Sequence, residues 1–460
     1  MASFSFNEIK KATNAELVSG KKTGVCFNVS IDSRTIKEND LFIALKGERF
    51  DGHDFVINAC KKGASAVIIS DSECLEKISE DCTVFLVKDT KKAFEDLAHF
   101  NRMRFDIPVV AVTGSNGKTT TKDMISALLS SKFNVCSTEK NNNNEIGLSL
   151  TLLNITKEHD ACVVEMGMRG FGQIKELCNI AKPTIGVITN VGTSHIGILG
   201  SKENIAKAKG ELIQSLPENG IAVLNGDDSF VKKMGENFKG RVIYYGLNGN
   251  YTVYGEKVSF ENFGTKYTCV CFDEAFKVNL KLLGIHNVYD ALAATSTARI
   301  LGVDVTKIQR VLSDFSPRAG RQSLIEINGI KIIDDAYNAN PLSMEMALRS
   351  LKQISAKNKY LVLADMKELG ENEEKFHYEI GLKAADMGFC GIITVGDLAK
   401  FIAKGAKEKG MKMIYSFDTC KEAAECILNI AKAGDVFLLK GSHSMQMYTI
   451  PDLLKEELEK

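Results

Sequence analysis

The residues best placed to do chemistry lie in VVAVTGSNGKTTTKDM, Val109 to Met124. An apolar run enters a Gly-rich turn, and a Lys and three Thr leave it. The common phosphate loop has Gly, four residues, then Gly-Lys-Ser/Thr. Here Ala111 stands at the first Gly position, and Gly114 with Gly117 gives Gly-x-x-Gly-Lys-Thr-Thr. The physics survives that change. Two glycines let the backbone turn tightly and come close to an anion. Free N–H groups at the start of the next helix point at phosphate oxygens. Lys118 neutralises β/γ charge, and Thr119 offers a hydroxyl to Mg2+. The bland alternative is a strand-to-helix turn with a solvated Lys. The preceding strand, the following helix and the Lys-Thr-Thr string together outweigh it.

A bound Mg-ATP would need further hard ligands at the ends of neighbouring strands. Glu165 ends the apolar run of ACVVEMG, where a buried acid is costly unless it meets a cation. His195 follows the next strand in a Gly/Ser/Thr loop, ITNVGTSHIGILGS. Taken singly, each reads as a salt-bridged acid and an ordinary hydrogen-bonded His; only their coincidence with Lys118 raises them. Lys207 and Lys209 in ENIAKAKGEL read by composition as a solvated helix face.

These groups must be positioned by alternating strands and helices. PVVAVTG, ACVVEMG, TIGVITNVG and GIAVLNGDD are strand-like, while TKDMISALLSS, FGQIKELCNIA and SKENIAKAKGELIQSL are helix-like. That alternation gives an α/β fold with a parallel sheet covered on both faces. Residues 250–280 alternate differently (YTVYG, YTCVCFD) and read as an antiparallel insertion. The expected domains are 1–107, 108–316 and 317–460. The first mixes short strands and helices, and the second carries the phosphate loop. The third resumes the alternation (GIKIIDDAYN, KYLVLADM, GIITVGD, DVFLLKGSHS) as a smaller Rossmann-like unit.

Composition narrows the class. A chain of 460 residues exceeds one ordinary core. With 58 basic and 58 acidic residues the formal charge is zero, so no global field draws it to nucleic acid or an anionic membrane. No run approaches a membrane span. The 12 cysteines are scattered without Cys-x-x-Cys. Cys269 and Cys271, two apart on a strand, read as core-filling thiols. The expected compartment is the cytoplasm.

The string as a whole resembles the Mur ligases, the ATP-dependent amide-forming enzymes of peptidoglycan precursor synthesis. TGSNGKTT, NNNNEIGLSLTLL, VVEMGMRG, ITNVGTSHI, AKAKGEL, GIHNVYDALAA, AGRQS and IIDDAYNANPLSM follow in family order. DSRTIKENDLFIALKGERFDGHDF, the Tyr-Asn-Ala-Asn-Pro string and VLADMKELGENEEKFH resemble the branch that adds D-alanyl-D-alanine to UDP-N-acetylmuramoyl-tripeptide. The resemblance implies three α/β domains: one binding the UDP-sugar, one binding ATP, and a C-terminal Rossmann-like one. It implies that Gly114, Ser115, Asn116, Gly117, Lys118, Thr119 and Thr120 hold ATP phosphates. His286, Asn287, Arg321, Asp335, Tyr337 and Asn338 would complete the ATP site, Arg321 and Asp335 by domain closure with Tyr337 and Asn338 beside them. Thr119, Glu165, His195 and a carbamylated Lys209 would bind two Mg2+ ions, with Lys118, Glu165, His195 and Lys209 catalytic. Ser33, Arg34, Asp51, Gly52, His53, Asn143 and Asn144 would face the UDP-MurNAc-tripeptide. The implied partners are small molecules, with no nucleic acid and no membrane span, and the implied working unit is a monomer. Two departures stand out. His443 follows Ser442 where relatives often carry Arg, and four Asn stand in a row after Lys140.

The implied chemistry activates the tripeptide carboxylate as an acyl phosphate, which the amine of D-Ala-D-Ala then attacks. Alternatives stay open at this stage. One is another Mur-type ligase adding diaminopimelate or lysine, or a folylpolyglutamate synthase. Others are a P-loop GTPase or kinase, and a non-catalytic nucleotide-binding scaffold.

Overall fold

A computed structural model describes residues 2–47, 50–139, 141–261 and 263–458. Glu48, Arg49 and Lys140, within stretches quoted above, lie outside the described residues. Three sheets of five or more strands organise the described residues, beside a two-stranded pairing of Phe4–Ser5 with Val25–Cys26. The first has five strands, in the order Glu16–Ser19, Thr83–Leu86, Ala66–Ile69, Asp40–Ile43, Asn28–Ser30. Only its Glu16–Ser19 edge is antiparallel. AVII at 66–69 is buried at every position, as a strand covered on both faces must be.

The helix Thr90–Met103 starts where the Asp89 carboxylate accepts from the Lys91 and Lys92 amides. It ties this first sheet to the rest. Phe94, Leu97 and Ala98 share one core with Leu148, Leu152 and Ile174. Asn101 Nδ2 donates to Leu152 O at 2.8 Å and Ile155 O at 3.0 Å, and Arg102 Nε donates to Ala181 O at 3.0 Å.

The second sheet has nine strands. Val109–Thr113 lies inside it, between Ile185–Ile188 and Ala161–Glu165, all parallel. Successive strands were thus laid down on opposite sides of Val109–Thr113. That makes a switch point, and its open end is the crevice where α/β sheets bind ligands. Residues 250–280 do form an antiparallel meander, but they are not an insertion. Val253–Glu261 pairs in parallel with Arg241–Gly246, and the meander simply lengthens the same sheet. Alternation of buried and exposed residues there reports a half-exposed sheet edge.

The third sheet runs Ser323–Ile327, Ile330–Asp334, Val436–Lys440, Lys359–Ala364, Gly391–Val395, Met413–Phe417. Only its first strand is antiparallel. That strand and Met413–Phe417 were absent from the sequence reading. Both lie at sheet edges and are only partly buried, so neither carries a long continuous apolar run. Cys269 and Cys271 are unbridged thiols buried in the core, as expected. No helix among the described residues is long and apolar enough to cross a membrane.

Candidate functional site

Gly117 caps the helix Lys118–Ser130 at φ 80°, and Gly114 sits at φ 152°. A Cβ at Gly114 would collide with Thr189 Oγ1, and one at Gly117 with Asp290 Oδ1. The turn therefore demands glycine twice, for conformation and for space. Its neighbours pin it. The Ser115 amide donates to Asn190 O at 2.9 Å, and the Asn116 amide donates to Asn190 Oδ1 at 3.0 Å. The Gly192 amide donates to Ser115 Oγ at 2.8 Å. Such cross-bracing fixes the loop before any ligand arrives, which is what preorganised anion binding requires.

Lys118 Nζ folds back onto Gly114 O at 2.9 Å. Burial lowers its pKa, Glu165 opposes that shift, and Arg321 adds to it. Thr119 Oγ1 donates to Glu165 Oε2 at 2.7 Å, and Asn143 Nδ2 donates to Glu165 Oε1 at 2.8 Å. Both oxygens of this 2 % exposed carboxylate are thus held. His195 sits in left-handed backbone at φ 64°. Its Nδ1 lies 3.2 Å from Glu368 Oε2, without hydrogen-bond alignment. Burial, Lys118 and Lys209 keep the imidazole below its ordinary pKa, so it is neutral near pH 7. Lys209 is no solvated face. It is 2 % exposed, and burial, then Lys118, pushes its amine well below the ordinary range.

The third sheet closes over these groups. Arg321 Nη2 donates to Thr119 Oγ1 at 3.0 Å while its guanidinium stacks 3.9 Å from the Tyr337 ring centre. Lys440 Nζ donates to Asp335 Oδ2 at 2.7 Å and to Asn338 O at 3.0 Å. Asn287 Nδ2 donates to Gln322 Oε1 at 2.8 Å, and His286 Nε2 lies 3.0 Å from Gln322 Nε2. Burial drops the His286 pKa to about 4, with Asp335 opposing, so it too is neutral. Between the sheets lies a cavity of about 1090 Å³. Every loop residue from Ser115 to Thr120 lines it, with Glu165, His195, Lys209, Arg321 and Tyr337. Among the described residues, the buried Asn116 Nδ2, His286 Nδ1 and Tyr337 OH have no hydrogen-bond partner. Polar atoms left so beside a cavity are spare capacity for a ligand.

Several of the expected substrate residues carry structural contacts of their own. Both ring nitrogens of His53 have partners: its Nδ1 is 2.6 Å from Asp51 Oδ1, and its Nε2 accepts from the Ser70 amide at 3.0 Å. Asp51 also caps the short turn Gly52–Phe55, and Gly52 packs its backbone against Leu45. This trio is a staple of the first sheet. Asn144 lines the cavity, but its Oδ1 accepts from Gly147 N at 3.0 Å as a helix cap. Ser33 is buried and Arg34 is exposed, paired to Asp32 at 2.8 Å; neither these two nor Asp51, Gly52 and His53 line the cavity.

Other site residues were missed. Asn340, the cap of the helix Pro341–Gln353, donates to Asn116 Oδ1 at 2.7 Å and to Ser194 Oγ at 3.0 Å. Glu368 reaches His195 and, at 3.5 Å, Arg169. Lys440 and Asp290 complete the set. The strings AYNANP and DMKELG contained the first two, but spacing alone gave them no partner.

Two predictions arise here. Burial raises the Asp290 carboxyl pKa from 3.8 to about 7, the Thr121 hydroxyl partly opposing. A raised folded-state pKa favours folding while the group is protonated. That contribution is full below the unfolded value and is lost as pH rises through about 7. Asp290→Asn, still an acceptor for Thr121, is expected to shrink the fall in urea midpoint between pH 5 and pH 8; an unchanged fall would reject the assignment. Secondly, a Cβ on Gly197 would lie 2.9 Å from Gly370 N, where the His195 loop meets the third sheet's Leu369–Gly370 turn. Gly197→Val is expected to cut turnover roughly 10-fold by wedging the two apart, with far-UV circular dichroism unchanged. Wild-type turnover would show the contact to be dispensable.

Family models match along the chain: Mur ligase family, catalytic domain at 27–102; Mur ligase middle domain at 112–298; and Mur ligase, glutamate ligase domain at 320–443. A relative from Synechocystis sp., UDP-N-acetylmuramoyl-tripeptide--D-alanyl-D-alanine ligase, is 37% identical over 94% of this chain and 92% of its own. The crystal structure of MurF from Acinetobacter baumannii superposes with a TM-score of 0.91 at 29% identity, covering 100% of both chains. MurF ligase from Thermotoga maritima, solved in complex with ADP, gives 0.84 at 31% identity over 94% of this chain and 98% of that one. With a phosphate loop at a sheet switch point and full-length relatives of this kind, the chain belongs to the Mur ligase family.

Proposed function

We propose that this chain is the ATP-dependent ligase that joins D-alanyl-D-alanine to UDP-N-acetylmuramoyl-tripeptide through an acyl phosphate, releasing ADP and phosphate. The observation that carries the reading is the likeness to ligases of that name across all three sheets, the first included. The cavity supplies what such chemistry needs. Loop amides and Lys118 grip the triphosphate, and the γ-phosphoryl group moves to the substrate carboxylate. Arg321 meets the charge that develops there. The D-Ala-D-Ala amine then attacks the acyl carbon, and phosphate leaves. Good alignment of amine and carbonyl lowers the barrier by roughly 7–11 kcal/mol. Water is the competing nucleophile, so the third sheet's closure over the loop protects the intermediate.

The donor set fits Mg2+. The Thr119 hydroxyl and the buried Glu165 carboxylate offer hard oxygens, and His195 offers a neutral imidazole. Thr119, Glu165 and His195 would hold the ions, which neutralise phosphate charge when bound. Lys209 suits carbamylation. A buried ammonium near Lys118 is costly, and its lowered pKa supplies the neutral amine that adds CO₂, turning it into an oxygen ligand. Asn143 and Asn144, at the cavity rim, would meet the tripeptide end of the substrate. All the residues named here come from one chain, and the working unit in this reading is a cytoplasmic monomer.

Phosphate release with ATP, UDP-MurNAc-tripeptide and D-Ala-D-Ala, omitting each in turn, is the test. Release is expected only with all three present. Equal release with a single amino acid in place of the dipeptide would favour another Mur-type ligase.

A further inference from the structure

The first sheet carries a thiol pair with no part in ligation. Cys60, at the end of the helix Val56–Lys61, and Cys82, just before the strand Thr83–Leu86, have Sγ atoms 2.8 Å apart. That is hydrogen-bonding contact, well inside the spacing of two packed sulfurs and short of a covalent bond of about 2.05 Å. Cys60 is half-buried and Cys82 is 3 % exposed. An attacking sulfur that solvent can reach thus stands against a second sulfur that it cannot. The hydrogen bond to Cys82 holds the Cys60 thiol below its ordinary range, against burial. Thiolate character with access is what makes a cysteine reactive.

The backbones on both sides are already held. Cys60 O accepts from the Gly63 amide at 3.0 Å, and the Cys82 amide donates to Ser79 O at 2.9 Å. The pair lies where the parallel strands Ala66–Ile69 and Thr83–Leu86 begin, while the His53–Ser70 contact lies where Ala66–Ile69 ends. A bond there would close the 60–82 loop without moving that far end.

We propose that Cys60 and Cys82 form a redox modification site, closing to a disulfide by exchange with a small-molecule disulfide. The Cys60 thiolate attacks one sulfur of oxidised glutathione and expels one glutathione thiolate, giving a mixed disulfide. Cys82 gives up its proton and attacks Cys60 Sγ, expelling the second. Two protein thiols are oxidised, one disulfide is reduced to two glutathione molecules, and the two protons end on those thiols. The proposal stands whether or not the ligase reading holds.

The test treats the folded full chain with oxidised glutathione, quenches in acid and maps cysteines by mass spectrometry. A peptide linked through Cys60 and Cys82, lost on reduction, is the expected product. Cys82→Ser is expected to stop at glutathione on Cys60, formed at least ~10-fold faster than on the exposed Cys390. If Cys390 reacts while Cys60 and Cys82 stay free to alkylate, the proposal is overturned. It is overturned equally if the link forms only in urea. The wild-type mapping decides the matter even where the variant folds poorly.

Discussion

Lys118→Ala loses phosphate release by ~10³-fold or more, about 4 kcal/mol of transition-state stabilisation, while the chain stays folded. The reason is local. The ammonium sits at the mouth of the Gly114–Gly117 turn, 2.9 Å from Gly114 O, and is the basic group that the turn itself carries. Removing it leaves the loop amides in place, because their bracing comes from Asn190 and Gly192. Nucleotide should still bind, but charge on the transferring phosphoryl group goes unmet. Single-turnover phosphate release with both co-substrates reads the effect. Turnover near wild type would remove the loop from the mechanism.

Arg321→Ala is expected to cut kcat ~10²-fold with little change in the KM for ATP. Arg321 belongs to the third sheet's segment yet donates to Thr119 Oγ1, and Tyr337 stacking holds its guanidinium in that pose. Its service depends on closure, so its loss should appear in the chemical step rather than in first encounter. Arg321→Lys should recover little, because a point charge can neither stack flat on Tyr337 nor keep a forked geometry. A rise in KM at constant kcat would instead make Arg321 a simple binding residue. Tyr337→Phe, which keeps the stack, separates ring from hydroxyl.

Much of the site was legible in the chain because it is local. A strand, two glycines, Lys and Thr in one continuous stretch make a phosphate loop wherever the flanking strand sits. Glu165 and His195 could be placed at strand ends for the same reason: alternation dictates a parallel sheet, and parallel strands put their following loops at one end. The family likeness then supplied roles for Lys209, His286 and Arg321 that composition alone did not.

Distance along the chain is where legibility stopped. The string around His53 gave no sign that Ser70 meets its second ring nitrogen. Glu368 and Asn340 looked ordinary because their partners, His195 and Asn116, lie more than 170 and 220 residues away. The meander at 250–280 looked inserted because side-chain alternation records which face is wet, not which strand is next door.

The sequence by itself determined the repeat of strand and helix, the glycine-dependent loop and the chemical types at the strand ends, since backbone sterics and apolar periodicity act over a few residues. Tertiary structure alone decided which charges meet. Whether Lys209 is solvated or buried, whether His195 is neutral and whether Arg321 touches Thr119 all follow from packing that brings distant segments together and excludes water.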